Sequence, residues 1–254
     1  VFHTKIENEA LKKQFCPSTQ ELIFLPEELT DPIGDETHSP VEGITHRYPD
    51  RVLLKPTYLC ASYCRFCFRR YKVSNSEHNL TWSKFERCIE YIQGNKNIWE
   101  VILTGGDPLV LNDTYLEKIL AQLNSIEHVK IIRFHTRIPS VLPERITEDL
   151  LSLLQKTNKS IWISVHMNSH LEFTESCKQA LKLLNQAGIP LLLQSVLLKD
   201  INDTKEQLTS LFKTAIENKV KPYYLHYPDL AKGTSHFRIP LQDAIELIGS
   251  LRGK

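Results

Sequence analysis

The chain has 254 residues, of which 41% are hydrophobic, enough to bury a sizeable core in one main domain. Thirty-one basic residues against thirty acidic ones leave a net charge of +1, so no overall field favours nucleic acid or an anionic membrane surface as a partner. No apolar run approaches the ~18 residues of a membrane span and no signal peptide is recognisable, so we predict a cytoplasmic protein that acts on a small molecule.

Residues 1–45 include a Pro- and acid-rich stretch, Pro26 to Pro40, without a clear hydrophobic period, and we predict that they form an arm lying on the main domain. Over residues 46–254, short runs rich in Val, Ile and Leu alternate with segments of helical period, as is typical of βαβ units. Six strands are predicted, at Arg51–Tyr58, Glu100–Thr104, Lys130–His135, Ile161–His166, Pro190–Leu197 and Lys221–His226. Nearly continuous apolar strands between helices indicate a parallel sheet, so we predict an α/β fold, a partial (β/α)6 barrel with an N-terminal arm.

Polar or reactive residues lie at or near the end of every predicted strand. In strand order they are the cysteines from Cys60 onward, the turn at Gly105–Asp107, His135 with Arg137, His166, Gln194 with Ser195, and His226 with Asp229. In a parallel barrel these strand ends share one face, where active sites are built from loops. We therefore expect the polar groups to converge on one site.

Three cysteines, Cys60, Cys64 and Cys67, fall within eight residues shortly after the first predicted strand. Thiolates bind iron–sulfur clusters or zinc, and a four-iron cluster held by three cysteines leaves one iron open to another ligand. A structural zinc site normally has four ligands and would have to recruit a residue such as His78, which nothing marks for that role. We predict an iron–sulfur cluster on the three cysteines.

With Phe66 before the third cysteine, the triplet resembles the Cys-x3-Cys-x-aromatic-Cys signature of radical S-adenosylmethionine (SAM) enzymes. The resemblance implies a barrel of the radical SAM type and a [4Fe-4S] cluster whose open iron binds SAM, from which a 5′-deoxyadenosyl radical is generated. It also implies an electron donor such as flavodoxin or ferredoxin. Gly105, Gly106 and Asp107, followed by Pro108, match the element of that superfamily that binds the methionine ammonium of SAM.

The resemblance narrows to the lysine 2,3-aminomutase family, from about residue 40 to residue 253. It rests on the segments HRYPDR, CRFCFRR, LTGGDPL, HTRIPSVLPERIT, QSVLLKDIND and YPDLAKGTSHFR. Members of that family also use pyridoxal 5′-phosphate (PLP). The resemblance implies that Arg47 and Arg51 bind the PLP phosphate, although two surface arginines before a strand would look the same.

The resemblance also implies residues for the substrate and for SAM. Arg69 matches an arginine that binds the substrate carboxylate, and Asp229 matches one of two aspartates that receive the distal ammonium of lysine. His166 and Gln194 match positions around SAM, although a histidine at a strand end can equally be a core residue.

Two features depart from the family's pattern. Phe66 stands where the best-known lysine aminomutases have histidine, so it offers an aromatic face but no hydrogen bond. The family also continues beyond the last helix into a segment with the second aspartate and the lysine that forms the Schiff base with PLP. Lys254 has no glycine run before it, so we do not assign it that role, and we expect this C-terminal segment to be absent from the chain.

The leading interpretation is an isomerase that moves the α-amino group of free L-lysine to the β-carbon. A close alternative is the branch that provides β-lysine for elongation factor P, which the segment KPYYLHY resembles. A glutamate-specific enzyme is disfavoured, because Asp229 would repel an acidic side chain. An interpretation of another class is a non-catalytic iron–sulfur or zinc protein, which would need neither the glycine turn nor the paired arginines. The resemblance leaves open whether the protein forms a homo-oligomer.

Overall fold

A computed structural model describes residues 8–252, which contain one seven-stranded sheet. The strands are β1 (Ile44–Tyr48), β2 (Arg51–Thr57), β3 (Glu100–Gly105), β4 (Ile131–Thr136), β5 (Ser160–His166), β6 (Leu191–Val196) and β7 (Val220–His226). Strands β2–β7 are all parallel and agree with the six predicted strands to within one residue at each end. The predicted α/β partial barrel is confirmed.

The sheet is an open crescent with β1 and β7 at its edges. Its strand order follows the chain from β1 to β7, and among residues 8–252 no pairing closes β7 onto the first strands. The sequence analysis missed β1, which pairs antiparallel with β2 across a tight connection between Tyr48 and Arg51. This strand crosses the boundary predicted between the arm and the core at residues 45 and 46. Residues 1–7 of the predicted arm, and Lys254, lie outside the described part of the chain.

Eight α-helices are described, of which α1 lies in the arm. They are α1 (Glu9–Phe15), α2 (Trp82–Gly94), α3 (Asp113–Asn124), α4 (Ile138–Val141), α5 (Glu148–Gln155), α6 (Glu175–Gln186), α7 (Lys205–Glu217) and α8 (Leu241–Leu251). In α2, α3, α5, α6 and α7, a Thr or Asn before the first turn accepts a hydrogen bond from the backbone N–H of the third helical residue, which fixes where the helix begins. Between residues 8 and 252, no helix combines the length and apolar character needed to cross a membrane.

The two faces of the sheet differ sharply in polarity. Alternate strand residues such as Leu54, Leu103 and Phe134 are fully buried in the main apolar core. Because successive side chains of a strand point to opposite faces, the residues between them line the inside of the crescent. Several of these are polar although buried, including Lys55, Glu100, Arg133 and Ser164. The fold therefore buries apolar residues on one face and leaves the inside of the crescent for polar chemistry.

Candidate active site

The cysteine loop, residues 58–70, follows β2 and carries the three predicted cluster ligands. Cys60, Cys64 and Cys67 are all free thiols and all partly buried. Burial raises the pKa of the Cys67 thiol to about 11, and burial also raises the pKa of Cys60, with the neighbouring thiols adding to both shifts. Ionising Cys60 and Cys67 in this setting is costly without a metal, whose positive charge stabilises the thiolates.

The donor set of this loop fits a cluster better than a single ion. A zinc ion requires its sulfur ligands to converge at ~2.3 Å on one point, whereas cysteines that hold a cluster bind different irons. Cys60, Cys64 and Cys67 are the residues that would hold the predicted [4Fe-4S] group.

Arg137, just after β4, contacts the middle cysteine directly. Its Nη1 donates a hydrogen bond to Cys64 Sγ at 2.9 Å, and its guanidinium carbon lies 4.5 Å from the ring centre of Phe15 and 5.5 Å from that of Phe66. The other terminal nitrogen, Nη2, donates to Glu172 at 2.8 Å. A buried guanidinium in contact with two rings and a carboxylate is fixed in position, so it offers Cys64 a stationary positive charge.

A buried network of hydrogen-bonded side chains surrounds Arg137. Gln14 of the arm accepts from Arg137 Nη2 and from Asn168 Nδ2, and the Glu172 carboxylate also accepts from Ser140 Oγ at 2.9 Å. All five side chains are buried. The sequence analysis singled out Arg137 as a strand-end residue but missed the other four. The capping-box spacing between Ser169 and Glu172, which the structure confirms, was the available signal for Glu172.

The turn at Gly105–Asp107 packs directly against the start of the cysteine loop. The N–H of Gly106 donates to Thr57 O and the N–H of Asp107 donates to Leu59 O, both at 2.8 Å. Gly105 has φ +112°, and a Cβ there would lie 2.5 Å from Thr57 O. Both glycines are thus required by the close approach of two backbone segments. This approach holds the cysteine loop beside the end of β3.

The Asp107 carboxylate faces inward. It accepts hydrogen bonds from Thr136 Oγ1 at 2.7 and 2.9 Å, from the N–H of Arg137 at 2.7 Å and from the N–H of Leu109 at 3.1 Å. Burial raises the pKa of this carboxyl, and these hydrogen bonds oppose that shift. In this structure Asp107 links the turn to the end of β4. Its predicted contact with the methionine ammonium stays a prediction.

Replacing Gly106 by alanine should displace the cysteine loop, because the new Cβ would lie 2.2 Å from Leu59 O and 2.5 Å from Tyr58 C. We expect a loss of about 1–3 kcal/mol in the free energy of unfolding, together with a lower iron content. Gly249→Ala is the matched control, since nothing lies within 4 Å of its added Cβ in α8. Anaerobic denaturant unfolding and iron analysis check both variants, and equal behaviour of the two would contradict the prediction.

His166, at the end of β5, stands beside the cysteine loop. Its ring lies 5.5 Å from that of Phe66, and its Nε2 is 3.2 Å from Asn168 Oδ1, which also accepts from the N–H of Val196 at 2.8 Å. Because that oxygen is an acceptor, Nε2 must carry the proton and Nδ1 is left to accept from a ligand. Burial lowers the pKa of His166 well below its usual range, so the ring is neutral. Gln194, also predicted near SAM, accepts a hydrogen bond from Ser164 Oγ at 3.2 Å.

A loop of the arm, residues 31–39, brings a carboxylate to the predicted substrate arginine. Asp35 Oδ2 accepts from Arg69 Nε at 2.7 Å and lies 3.8 Å from Lys55 Nζ. Although burial alone would raise it, the charges of Arg69 and Lys55 hold the pKa of Asp35 below its usual range. Burial lowers the pKa of the Lys55 ammonium to about 8. The sequence analysis missed both residues. Asp35 falls in the arm, where the sequence has no clear hydrophobic period, and Lys55 lies inside β2.

Asp229, after β7, is the other predicted substrate group. Within residues 8–252 its partly buried carboxylate accepts no hydrogen bond and forms no ion pair, so it is open to a ligand. Burial raises the pKa of this carboxyl, while the nearby charges of Arg69 and Arg47 lower it. The structure therefore places Arg69 and Arg47 close enough to Asp229 for their charges to act on its carboxylate.

The two predicted phosphate arginines differ in their surroundings. Arg47 is exposed and donates to Ile33 O in the arm loop. Arg51 stands at the start of β2, the opposite end of that strand from the cysteines, where it donates to Asp50 at 2.9 and 3.0 Å and lies 3.7 Å from Glu100. Arg47 is available to an anion, whereas Arg51 would have to exchange the Asp50 contact for a phosphate.

Comparisons with known proteins identify the family of the chain. The model of the radical SAM superfamily matches residues 54–212. L-lysine 2,3-aminomutases of Methanococcus maripaludis and Escherichia coli are 44% and 36% identical to the chain, each over 96% of its length. The chain belongs to the lysine 2,3-aminomutase family of radical SAM enzymes. Membership implies a [4Fe-4S] cluster and SAM, which the cysteine loop and the glycine turn suit.

Two further comparisons limit what membership of the lysine 2,3-aminomutase family says. A glutamate 2,3-aminomutase of Clostridioides difficile is 38% identical over 96% of the chain, so the family includes another substrate. The fold is similar to the structure titled native anSMEcpe with bound AdoMet and Kp18Cys peptide, with a TM-score of 0.60 and 14% sequence identity. The match covers 79% of this chain and 58% of that one, and it supports the fold alone. The chain spans 56% of the Methanococcus maripaludis protein and 71% of the Escherichia coli one.

Proposed function

We propose that the chain is the core of a PLP-dependent radical SAM aminomutase that moves the α-amino group of L-lysine to the β-carbon. The observation that carries the proposal is a pair of opposite charges, one in the cysteine loop and one after β7. Arg69 offers a cation for a carboxylate, and Asp229 offers an open carboxylate for an ammonium. An amino acid with a distal positive charge has both complementary groups.

The chain's own residues would bind the substrate and keep it in place. When bound, the cluster with SAM would supply a radical that abstracts hydrogen, and PLP would carry the migrating amino group. Cys60, Cys64 and Cys67 would hold the cluster beside the Gly105–Asp107 turn. Neutral His166 offers Nδ1 as an acceptor on the same side of the crescent. The walls of the crescent would limit access of water to the reacting carbon.

PLP enters the proposal through family resemblance and through positive charge. Arg47 and Arg51 are guanidinium groups on the hairpin of β1 and β2, and guanidinium suits a phosphate dianion. The related lysine 2,3-aminomutases support lysine as the substrate, and the related glutamate enzyme supports a different one. The open carboxylate of Asp229 favours lysine, because it would repel the side chain of glutamate.

Product analysis tests the proposal. Anaerobically reconstituted full-length protein, with the C-terminal segment that the family resemblance implies, would receive SAM, PLP, a reductant and either L-lysine labelled with nitrogen-15 at the α-position or L-glutamate. We expect mass spectrometry to find β-lysine that retains the label, and no β-glutamate. The Cys64→Ala variant is the control and should form neither. Formation of β-glutamate, or of no β-amino acid by the intact protein, would contradict the proposal. Replacing the chemical reductant by flavodoxin or ferredoxin would test the expected electron donor.

A further inference from the structure

The arm loop, residues 31–39, is built to hold Asp35 in one position. Both carboxylate oxygens of Asp31 accept backbone hydrogen bonds, from the N–H of Asp35 at 2.9 Å and from that of Glu36 at 2.8 Å. Ser39 Oγ donates to the carbonyl of Asp35 at 2.7 Å. The backbone on either side of Asp35 is therefore fixed by the loop's own side chains.

The Asp35 side chain is buried beneath the predicted substrate arginine. Its Oδ2 accepts from Arg69 Nε at 2.7 Å, and Thr45 Oγ1 donates to its Oδ1 at 3.3 Å. Lys55 Nζ lies 3.8 Å from Oδ2 and donates to Thr45 Oγ1 at 2.5 Å. Two cations, Arg69 and Lys55, thus share one buried carboxylate. The three charges sum to +1, which suits an anionic ligand.

The contact with Asp35 leaves the two terminal nitrogens of Arg69 available to a ligand. Asp35 engages Nε alone, and within residues 8–252 the two terminal nitrogens of Arg69 make no hydrogen bond and no ion pair. Both terminal nitrogens are partly accessible to solvent. The guanidinium also lies 4.6 Å from the ring centre of Phe68. Asp35 fixes the guanidinium at Nε and the Phe68 ring packs against it. Its two terminal nitrogens can then donate two parallel hydrogen bonds to a carboxylate.

We propose that Asp35 is a positioning residue for the substrate carboxylate, acting through Arg69, with Lys55 as the second cation that keeps the site positive. This inference rests on the proposed function and adds the arm loop to the substrate site. It predicts that Asp35 affects only ligands that carry a carboxylate. L-lysine and cadaverine form the matched pair of probes, because cadaverine is lysine without its carboxylate.

Equilibrium binding to the cluster-loaded protein with SAM tests the inference. We expect the unaltered protein to bind L-lysine more tightly than cadaverine. Asp35→Asn should weaken L-lysine by roughly tenfold and leave cadaverine unchanged. Arg69→Gln should remove the preference for lysine, and adding Asp35→Asn to it should have no further effect, since Asp35 acts through Arg69. Glu36→Gln, an exposed carboxylate of the same loop that pairs with Lys72, is the control and should change neither ligand.

The outcomes separate the inference from the function on which it rests. No preference for L-lysine over cadaverine in the unaltered protein would overturn both. A preference lost in Arg69→Gln but kept in Asp35→Asn would overturn the positioning role alone, as would equal weakening of both ligands in Asp35→Asn. If Asp35→Asn does not fold, Asp35→Glu keeps the charge but moves it by one methylene, and the same selective weakening is expected there.

Discussion

Replacing Cys64 by alanine should abolish the iron–sulfur cluster and leave the barrel folded. Each of the three thiolates would supply a metal bond, and a cluster held by three cysteines has no spare protein ligand to replace a lost one. Cys64 is also the thiol to which Arg137 donates, so its loss leaves that donor without its sulfur acceptor. Iron and sulfide analysis of anaerobically reconstituted protein, with its visible absorbance, should show essentially complete loss of the cluster.

Cys177→Ala is the matched control for this experiment. Cys177 is a fully buried thiol of α6 within the apolar core, and burial raises its pKa to about 12, so it remains protonated. Its replacement should leave the iron content unchanged. Circular dichroism should show the same secondary structure in both variants. A Cys64→Ala protein that retained four irons and cleaved SAM would contradict the assignment of the cluster to this loop.

The strands could be predicted because their signal is local. Each parallel strand is a short, largely apolar run between helices, and every strand from β2 to β7 contributes at least one buried residue to the main apolar core. β1 was missed because only Ile44 in its ITHRY sequence is strongly apolar. It pairs because β2 lies directly beside it after a tight turn, which is a tertiary reason that its own composition does not contain.

The candidate site could be predicted where neighbouring residues form a motif, and not where distant residues meet. The cysteine triplet and the glycine turn are short motifs with a fixed spacing. By contrast, Gln14 and Arg137 are 123 residues apart and meet only after folding. Asp35 and Arg69 are 34 residues apart, and nothing in the arm marks Asp35 as buried. The arm therefore contributes more to the candidate site than its sequence indicates, because it supplies Gln14 to Arg137 and Asp35 to Arg69.

Replacing Asp229 by asparagine should weaken binding of L-lysine far more than binding of norleucine. Its carboxylate is open and partly buried, so a distal ammonium would form a charge-assisted contact there with little competition from water. Loss of one partner of such a contact typically costs on the order of 2–5 kcal/mol, which is roughly 30-fold to several-thousand-fold in affinity. Norleucine has no distal amine to lose. Competition binding at fixed ionic strength would measure both ligands.

Arg69→Ala provides the complementary comparison. Because Arg69 is predicted to bind the carboxylate that both ligands share, its loss should weaken lysine and norleucine alike. The preference for lysine should also depend on pH. Burial raises the pKa of Asp229, so the carboxylate becomes neutral earlier as the pH falls, and the preference should decline through that raised pKa. Equal losses for the two ligands in Asp229→Asn would remove the structural reason for naming lysine. The assignment of the cysteine loop would be unaffected, because it depends on none of these charges.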